Sequence, residues 1–431
     1  MDTLVRLRDR FLRLTRGSFP TSGAPPWYLV GGALRDALLG IESADFDLIT
    51  PGDPTALAGE ISARLGGNFF FLDEPRRQSR VLFRHRGSRY QLDFAPFRAP
   101  SLERDLRLRD FTLNAMALDA ASPTPVHIDP CGGAADLRSG ILRQCAPGAF
   151  AEDPLRLLRA ARFCLLHGLR LEERTLEQAR RDALRLPAVA SERIRAEFIL
   201  MLRNRGPAAI ASALHGLHLL QALWDCRSPV DVTELAAPLA SFESRFEEAW
   251  AELQAAGMES EFQQELEFGL RRRDALGLAA LCMVISRWSP LPARLPAVFS
   301  NRTTGFFEAL LQSGPAILDS LRQVADMAES RALFVRTLGP FGSARLLFAL
   351  IRSADPIAGH PAFRALEDEL HFRASGGPEP LLDPRALMGM GVSGRRIGEL
   401  LEELDLARIR GEVHNGQEAQ SWLLSRLRES R

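Results

Sequence analysis

The chain reads as an α+β protein, with a head built on a mixed β-sheet and helices, followed by an all-helical neck, body and tail. Three observations carry that expectation. Strand-like apolar runs fall almost entirely before residue 141, and from there to the end the apolar spacing is helical. Gly31 and Gly32 stand between the β-prone run Tyr28-Leu29-Val30 and a helix-forming segment. Asp45 and Asp47 then sit one residue apart in a second strand-like run ending at Thr50.

Residues 1–17 read as an amphipathic helix with arginines throughout, and 21–26 as a turn-rich break. At positions 31 and 32 glycine accepts backbone angles that other residues resist and lets a ligand approach the main chain. The first N–H groups of the helix opening there can face an anion. Arg35 lies within about one turn of that start. In the next strand alternate side chains share a face, so Asp45 and Asp47 point the same way. Two adjacent carboxylates repel unless a cation sits between them, and Mg²⁺, a hard ion that shares its shell with phosphates and water, suits the position. A helix is expected over 55–65, opened by Asp53-Pro54 and ended by Gly66-Gly67. Residues 68–72 read as a buried strand. Residues 79–85 and 88–97 read as a hairpin turning at Arg86-Gly87. Asp93 lies in its second arm. If that arm neighbours the Asp45/Asp47 strand, Asp93 is a third acid of the same site; otherwise it is a surface acid on an edge.

Downstream, Arg109 and Asn114 offer a guanidinium and an amide that could hold a triphosphate and a sugar, or Arg109 could simply pair with Asp110. Residues 129–137, Asp-Pro-Cys-Gly-Gly-Ala-Ala-Asp-Leu, read as a turn closing the sheet. Glu152-Asp153-Pro154 opens a helix whose apolar stripe is Leu155, Leu158, Ala161 and Leu165. Arg156, Arg159 and Arg162 share another face, either as solvated surface or as a seat for a polyphosphate or nucleic acid. Ser191 caps a further helix. Residues 206–371 read as helices only, with breaks near Pro229, 290–296 and Gly339-Pro340. Residues 391–398 place main-chain N–H groups with Arg395 and Arg396 at a helix start, as a phosphate site or a plain turn.

At 431 residues the chain has room for two to four domains, expected at 1–140, 141–205, 206–371 and 372–431. Its 46% hydrophobic and 25% charged content is that of an ordinary globular protein. No apolar run approaches the roughly 20 residues of a membrane span, and the arginine-bearing N-terminus reads as a helix, not a secretory signal. Five cysteines, odd in number, far apart and without Cys-x-x-Cys, point to a reduced cytoplasmic setting without structural zinc. His215 and His218 have a spacing that could serve a metal but no evident third ligand. There is no lysine, so every side-chain cation apart from histidine is a guanidinium able to grip phosphate with two parallel hydrogen bonds. Residues 1–205 carry 31 Arg against 25 acids, an excess that suits a nucleotide or nucleic-acid partner.

Residues 28–50 resemble the nucleotidyltransferase fold of the polymerase-β superfamily, and later motifs narrow this to the class II tRNA nucleotidyltransferase and bacterial poly(A) polymerase family. Arg109, Asp110, Phe111, Thr112, Asn114 and Ala115 match the family's Arg-Arg-Asp-Phe-Thr-x-Asn-Ala, with Leu108 replacing its first Arg. Residues 129–137, the Glu152-Asp153-x-x-Arg156 element with Arg159-x-x-Arg162-Phe163, and Glu192-Arg193-Ile194 match in order. The resemblance implies that the 3′-hydroxyl of tRNA attacks the α-phosphate of CTP or ATP and pyrophosphate leaves. It implies two Mg²⁺ on Asp45 and Asp47, with Asp93 at the family's third acidic position. Gly32 and Arg35 are then expected at the triphosphate, with Arg109 nearby and Gly31 and Asn114 also among the nucleotide-binding residues. Asp153 and Arg156 would read the base, a carboxylate accepting from the amine of cytosine or adenine and a guanidinium donating to the ring, supported by Arg159 and Arg162. Implied partners are the tRNA acceptor stem and elbow, CTP and ATP, with no membrane.

One departure narrows the expectation. Between Arg98 and Asp105 lies only Ala-Pro-Ser-Leu-Glu-Arg. Family members that add the full CCA usually carry a longer flexible loop here, and members that add only CC lack it. A CC-adding enzyme is therefore expected, with a separate A-adding enzyme acting on its product. The alternatives are a poly(A) polymerase, which shares the head motifs, and an inactive RNA-binding protein on the same fold, which intact Asp45, Asp47 and Arg35 argue against.

Overall fold

The computed structural model describes residues 2–17, 19, 26–119, 122, 126–224, 226, 230–267, 269–286, 299–339, 341–374, 381–382, 387–388, 392 and 395–429. They fall into two compact units, residues 1–190 with 216–222, and residues 191–215 with 223–431. Among the described residues no single helix is long and apolar enough to cross a membrane. Most of the Gly391-to-Gly394 turn of the tail lies outside the described residues.

The first unit is organised by a seven-stranded sheet. Its strands are β1 (Tyr28–Val30), β2 (Asp45–Thr50), β3 (Asn68–Asp73), β4 (Gln78–His85), β5 (Ser88–Pro96), β6 (Ala117–Asp119) and β7 (Val126–Ile128). They lie in the order β3-β4-β5-β2-β1-β6-β7. All neighbours are antiparallel except β2 and β5. Phe46, Leu48, Leu92, Phe94 and Val81 project to one face and form a single core with three helices: α1 (Asp2–Leu14), α2 (Gly32–Leu38) and α3 (Thr55–Leu65). Helix α1 contributes Leu4, Leu7, Phe11 and Leu14, the i, i+3, i+7, i+10 stripe of an amphipathic helix, and Phe11 meets Phe46 at 5.2 Å between ring centroids. The acids lie on the opposite face, which also carries a second buried cluster of Val30, Ile49, Leu106, Ala115 and Ala117.

The expected strand at 68–72 forms, but it is not buried. Phe70, Phe71 and Leu72 are 39%, 38% and 46% exposed, because β3 is the outermost strand and pairs only with β4. Only Phe69 packs on the core.

Between β5 and β6 lie α4 (Leu102–Arg107) and a 3₁₀ turn at Thr112–Asn114, and after β7 α5 (Gly133–Arg138) leads into α6 (Ala149–Glu152), α7 (Leu155–His167) and α8 (Glu173–Asp182). The turn expected over 129–137 is confined to residues 129–132, and Gly133 to Leu137 belong to α5. The Asp129 carboxylate accepts from the N–H groups of Gly133 and Ala134 at 2.8 and 3.0 Å. A Cβ at Gly133 would fall 2.0 Å from the Thr112 carbonyl oxygen, so only glycine fits.

The helical remainder contains two short ladders that sequence periodicity did not reveal. Ile141–Leu142 pairs with Arg170–Leu171 in the first unit, and Glu265–Glu267 pairs with Leu270–Arg271 in the second. Strands of two or three residues are too short to leave an alternating pattern. In the second unit the buried Glu261 is held by Arg272 and Arg373, so this acid has two cations as partners instead of water.

Candidate active site

Strand β2 presents Asp45 and Asp47 on the face opposite its core side. Phe46 between them is 1% exposed in the core of the other face. Asp47 is level with Val30 of β1 on one side and Asp93 of β5 on the other. Three acids therefore share one face, two of them as cross-strand neighbours. The cost shows in their ionisation. Burial, Asp93 and Asp47, in that order, push the Asp45 carboxyl up to about 6, against the lowering pull of Arg80. Burial also raises Asp47, with Asp93 adding to it and Arg109 and Arg80 opposing. A pair of carboxylates that resists ionisation alone is a donor set that fits a hard divalent cation.

Asp93 does not join that pair freely. Arg80 on β4, directly opposite it, donates Nε to Oδ1 and Nη2 to Oδ2, both at 2.7 Å. Gln91 adds a bond to Oδ2 at 3.2 Å. Among the described residues no three His, Cys, Asp or Glu side chains converge as a metal-holding group, around the acids or around His215 and His218.

The glycine turn lies against the acids. Gly31 has φ 71° and ψ −130°, a conformation closed to other residues. A Cβ there would stand 3.0 Å from Asp47 Oδ2 and 3.3 Å from Arg109 Nη1. Main chain, carboxylate and guanidinium thus meet at one point. Gly32 begins α2. Arg109 is held beside Asp105 (3.6 Å), whose 1%-exposed carboxylate takes the N–H and Nε of Arg98 at 2.9 and 3.0 Å. The Arg109 Nε is buried with no hydrogen-bond partner. An open cavity of about 230 Å³ joins Asp47, Asp93, Arg98 and Arg109, with the exposed Leu72 on its rim.

A second cluster adjoins along the chain. Arg35 pairs with Asp36 at 2.6 Å and donates Nη1 to Asn114 Oδ1 at 2.9 Å. Asn114 donates to Asp110 at 3.1 Å, and Asp110 takes Arg159 Nε and the Phe111 N–H, both at 2.8 Å. Burial pushes the Asp110 carboxyl up, but Arg159 and the donors around it outweigh burial and hold it below the usual range. The ring of Phe163 meets three guanidinium groups, Arg162 at 4.5 Å, Arg35 at 5.1 Å and Arg159 at 5.6 Å. Arg159 of the α7 arginine face is therefore tied to the head through Asp110, while Arg162 packs on Phe163 of its own helix. Arg109 does not pair with Asp110; the two neighbours face different partners.

Asp153 and Arg156 stand at the start of α7. Asp153 accepts from the Leu155 N–H at 3.2 Å. Arg156 donates to the carbonyls of Leu108 and Ala149 at 3.0 and 3.3 Å and lies 3.7 Å from Glu152. Leu108, which stands where the family has Arg, thus contributes through its main chain. Three residues important to this geometry were not among the expected site residues: Arg80, Asp110 and Phe163. The hairpin register carried a signal for Arg80, since a two-residue turn at Arg86-Gly87 puts His85 opposite Ser88 and hence Arg80 opposite Asp93.

Comparison with known proteins places these features in a wider set. Residues 27–143 match the model of the poly A polymerase head domain, and residues 168–224 match that of the probable RNA and SrmB-binding site of polymerase A. The chain is 31% identical to a CC-adding tRNA nucleotidyltransferase of Geobacter sulfurreducens over 93% of its own length and 92% of that protein's. It is 32% identical to an A-adding tRNA nucleotidyltransferase of Deinococcus radiodurans, over 94% and 95%. The fold is shared with a CCA-adding enzyme solved with CTP (TM-score 0.71, 22% identity, 98% of both chains) and with the Thermotoga maritima CCA-adding enzyme complexed with tRNA (TM-score 0.63, 22% identity, 98% of both chains).

Proposed function

The chain belongs to the class II tRNA nucleotidyltransferase family, and we propose that it adds cytidylates to the 3′ end of tRNA from CTP, releasing pyrophosphate. The observation that carries this is the meeting of the Gly31 main chain, the Asp47 carboxylate and the Arg109 guanidinium within 3.3 Å of a single point. A triphosphate needs main-chain donors, a cation and an acid pair together, and here one turn and one strand supply them.

Asp45 and Asp47 are the residues that would hold Mg²⁺, which would supply charge neutralisation at the α-phosphate and acidification of the attacking 3′-hydroxyl. Gly31, Gly32 and Arg109 grip the triphosphate, and Arg35 and Asn114 orient the adjoining sugar and phosphates. Asp153 and Arg156 read the base edge, once Arg156 exchanges its carbonyl partners for the nucleotide. Arg159 and Arg162, fixed by Asp110 and Phe163, support them. The division of labour follows the chain: head 1–140, base-reading neck 141–205, body 206–371 and a tRNA-binding tail 372–431. A cytoplasmic setting fits five cysteines that are far apart in the sequence, odd in number and without a Cys-x-x-Cys.

The chain adds CC and leaves the terminal A to a partner enzyme. Near-equal identity to CC-adding and A-adding relatives does not separate these activities, so the segment before Asp105 carries the assignment. Only Ala99, Pro100 and Ser101 connect Arg98 to α4. Ser101 accepts from the Arg104 N–H at the start of that helix, and the Arg98–Asp105 pair clamps the two ends. Nothing there is long enough to swing. Incubation of the purified protein with tRNA lacking its CCA end, CTP and ATP is predicted to give tRNA lengthened by two cytidylates. Efficient addition of the terminal A contradicts the CC assignment, and long adenylate tails without CTP use identify a poly(A) polymerase instead.

A further inference from the structure

The Arg80–Asp93 pair has no part in the proposed chemistry, yet it lies in the same row of the sheet. Phe70, Arg80, Asp93, Asp47 and Val30 are successive cross-strand neighbours over β3, β4, β5, β2 and β1. Both partners are thus placed by the sheet ladder and not by a mobile loop. Arg80 and Asp93 are 29% and 22% exposed at the side chain, and two 2.7 Å bonds join them fork to fork. This is the strongest and most directional form of such a pair. Arg80 and Arg109 both offset the three acids on this face, Arg109 beside Asp47 and Arg80 on Asp93. Without Arg80 the face carries one more net negative charge, and Asp93 has Oδ1 released while Oδ2 keeps its bond from Gln91.

We propose that Arg80 is a positioning residue that holds Asp93 out of the cation site and thereby sets how tightly the Asp45–Asp47 pair takes a divalent ion. The proposal rests on that pair being the divalent-cation site. Arg80 does so by its charge and by its fork. The charge weakens the field at the pair, and the fork occupies both oxygens of Asp93, the cross-strand neighbour of Asp47. The ion is then held loosely enough to exchange with each nucleotide, with coordination positions left for phosphate.

The test is Mn²⁺ binding by the full chain at pH 8 without nucleotide, read by the electron paramagnetic resonance signal of free Mn²⁺. Arg80→Gln is expected to bind Mn²⁺ about five- to tenfold tighter than the wild type, the order of effect of one charge a few ångströms from the ion near a protein surface. Arg80→Lys keeps the charge but loses the fork and is expected to fall between the two. Arg80→Gln combined with Asp93→Asn removes a neutral pair and is expected to return the affinity to within about twofold of wild type. Unchanged or weaker binding by Arg80→Gln overturns the proposal. If that variant does not fold, unchanged binding by Arg80→Lys overturns it equally. Asp47→Asn separates the two levels. If it leaves Mn²⁺ binding intact, the cation-site assignment fails. If it abolishes binding while the Arg80 variants behave as wild type, only the role of Arg80 fails.

Discussion

Replacing Gly31 by alanine probes the contact between turn and acids most sharply. Its backbone, φ 71° and ψ −130°, lies where an L-residue pays of order 1–3 kcal/mol. The added methyl would sit 3.0 Å from Asp47 Oδ2 and 3.3 Å from Arg109 Nη1, both closer than ordinary van der Waals contact. Both atoms are side-chain ends, but Asp47 is fixed by strand pairing on both sides and can yield only by turning its carboxylate away from the site. A misplacement approaching 1 Å at a reacting centre costs about 10²-fold in rate. Gly31→Ala is therefore predicted to lose about 10²-fold in single-turnover CMP incorporation and about 1–3 kcal/mol in urea denaturation. Gly66→Ala is the matched control. Gly66 also has positive φ (63°), ends α3 and has nothing within 4 Å of an added Cβ, so it is predicted to lose about 1 kcal/mol with activity intact. Wild-type incorporation by Gly31→Ala, or equal activity loss in both variants, would refute the reasoning.

Other expectations follow from the same geometry. Because the Asp45 carboxyl is raised to about 6, the stability it contributes in the metal-free protein is complete below its unfolded value near 4 and lost as pH rises through about 6. In EDTA, Asp45→Asn is thus predicted to melt above wild type at pH 8, by only ~1 kcal/mol because solvent reaches one side of this partly shielded carboxyl and screens the effect, with the difference vanishing near pH 4. Added Mg²⁺ should stabilise the wild type and not the variant. Arg159→Gln leaves the buried Asp110 without its cation and is predicted to cost about 2–4 kcal/mol in urea denaturation. Phe163→Leu removes the ring shared by three guanidinium groups and is predicted to raise KM for CTP several-fold with a smaller change in kcat, as loss of nucleotide positioning requires.

Much of the head was legible because local rules dictate it. Period two along β2 put Asp45 and Asp47 on one face, and the positive-φ Gly66 stopped α3 where expected. The Arg86-Gly87 turn fixed the β4–β5 register, and counting along it would have given Arg80 as the partner of Asp93. What stayed hidden depends on sheet order and on contacts distant in sequence. The exposed Phe70, Phe71 and Leu72 read as core because a continuous apolar run does not reveal whether its strand ends on an edge. The bond from Arg35 to Asn114 spans 79 positions and that from Arg159 to Asp110 spans 49. No spacing rule links such residues, so the arginine face of α7 could be read equally as solvated. Arg156 was expected at the base, and the structure shows it donating to the carbonyls of Leu108 and Ala149, a main-chain pairing that no sequence spacing announces.

The most direct test of the acid pair as reaction centre is the rate of CMP transfer to tRNA lacking its CCA end by Asp47→Asn, compared with wild type at saturating Mg²⁺ and CTP. The variant is nearly isosteric and relieves the crowding with Asp93, so its fold should be intact by denaturation. Loss of at least about 10³-fold is predicted for removing one of two cation-holding carboxylates. Transfer within tenfold of wild type would contradict the account, because nucleotidyl transfer would then proceed without the residue around which the turn, Arg109 and both neighbouring strands are arranged.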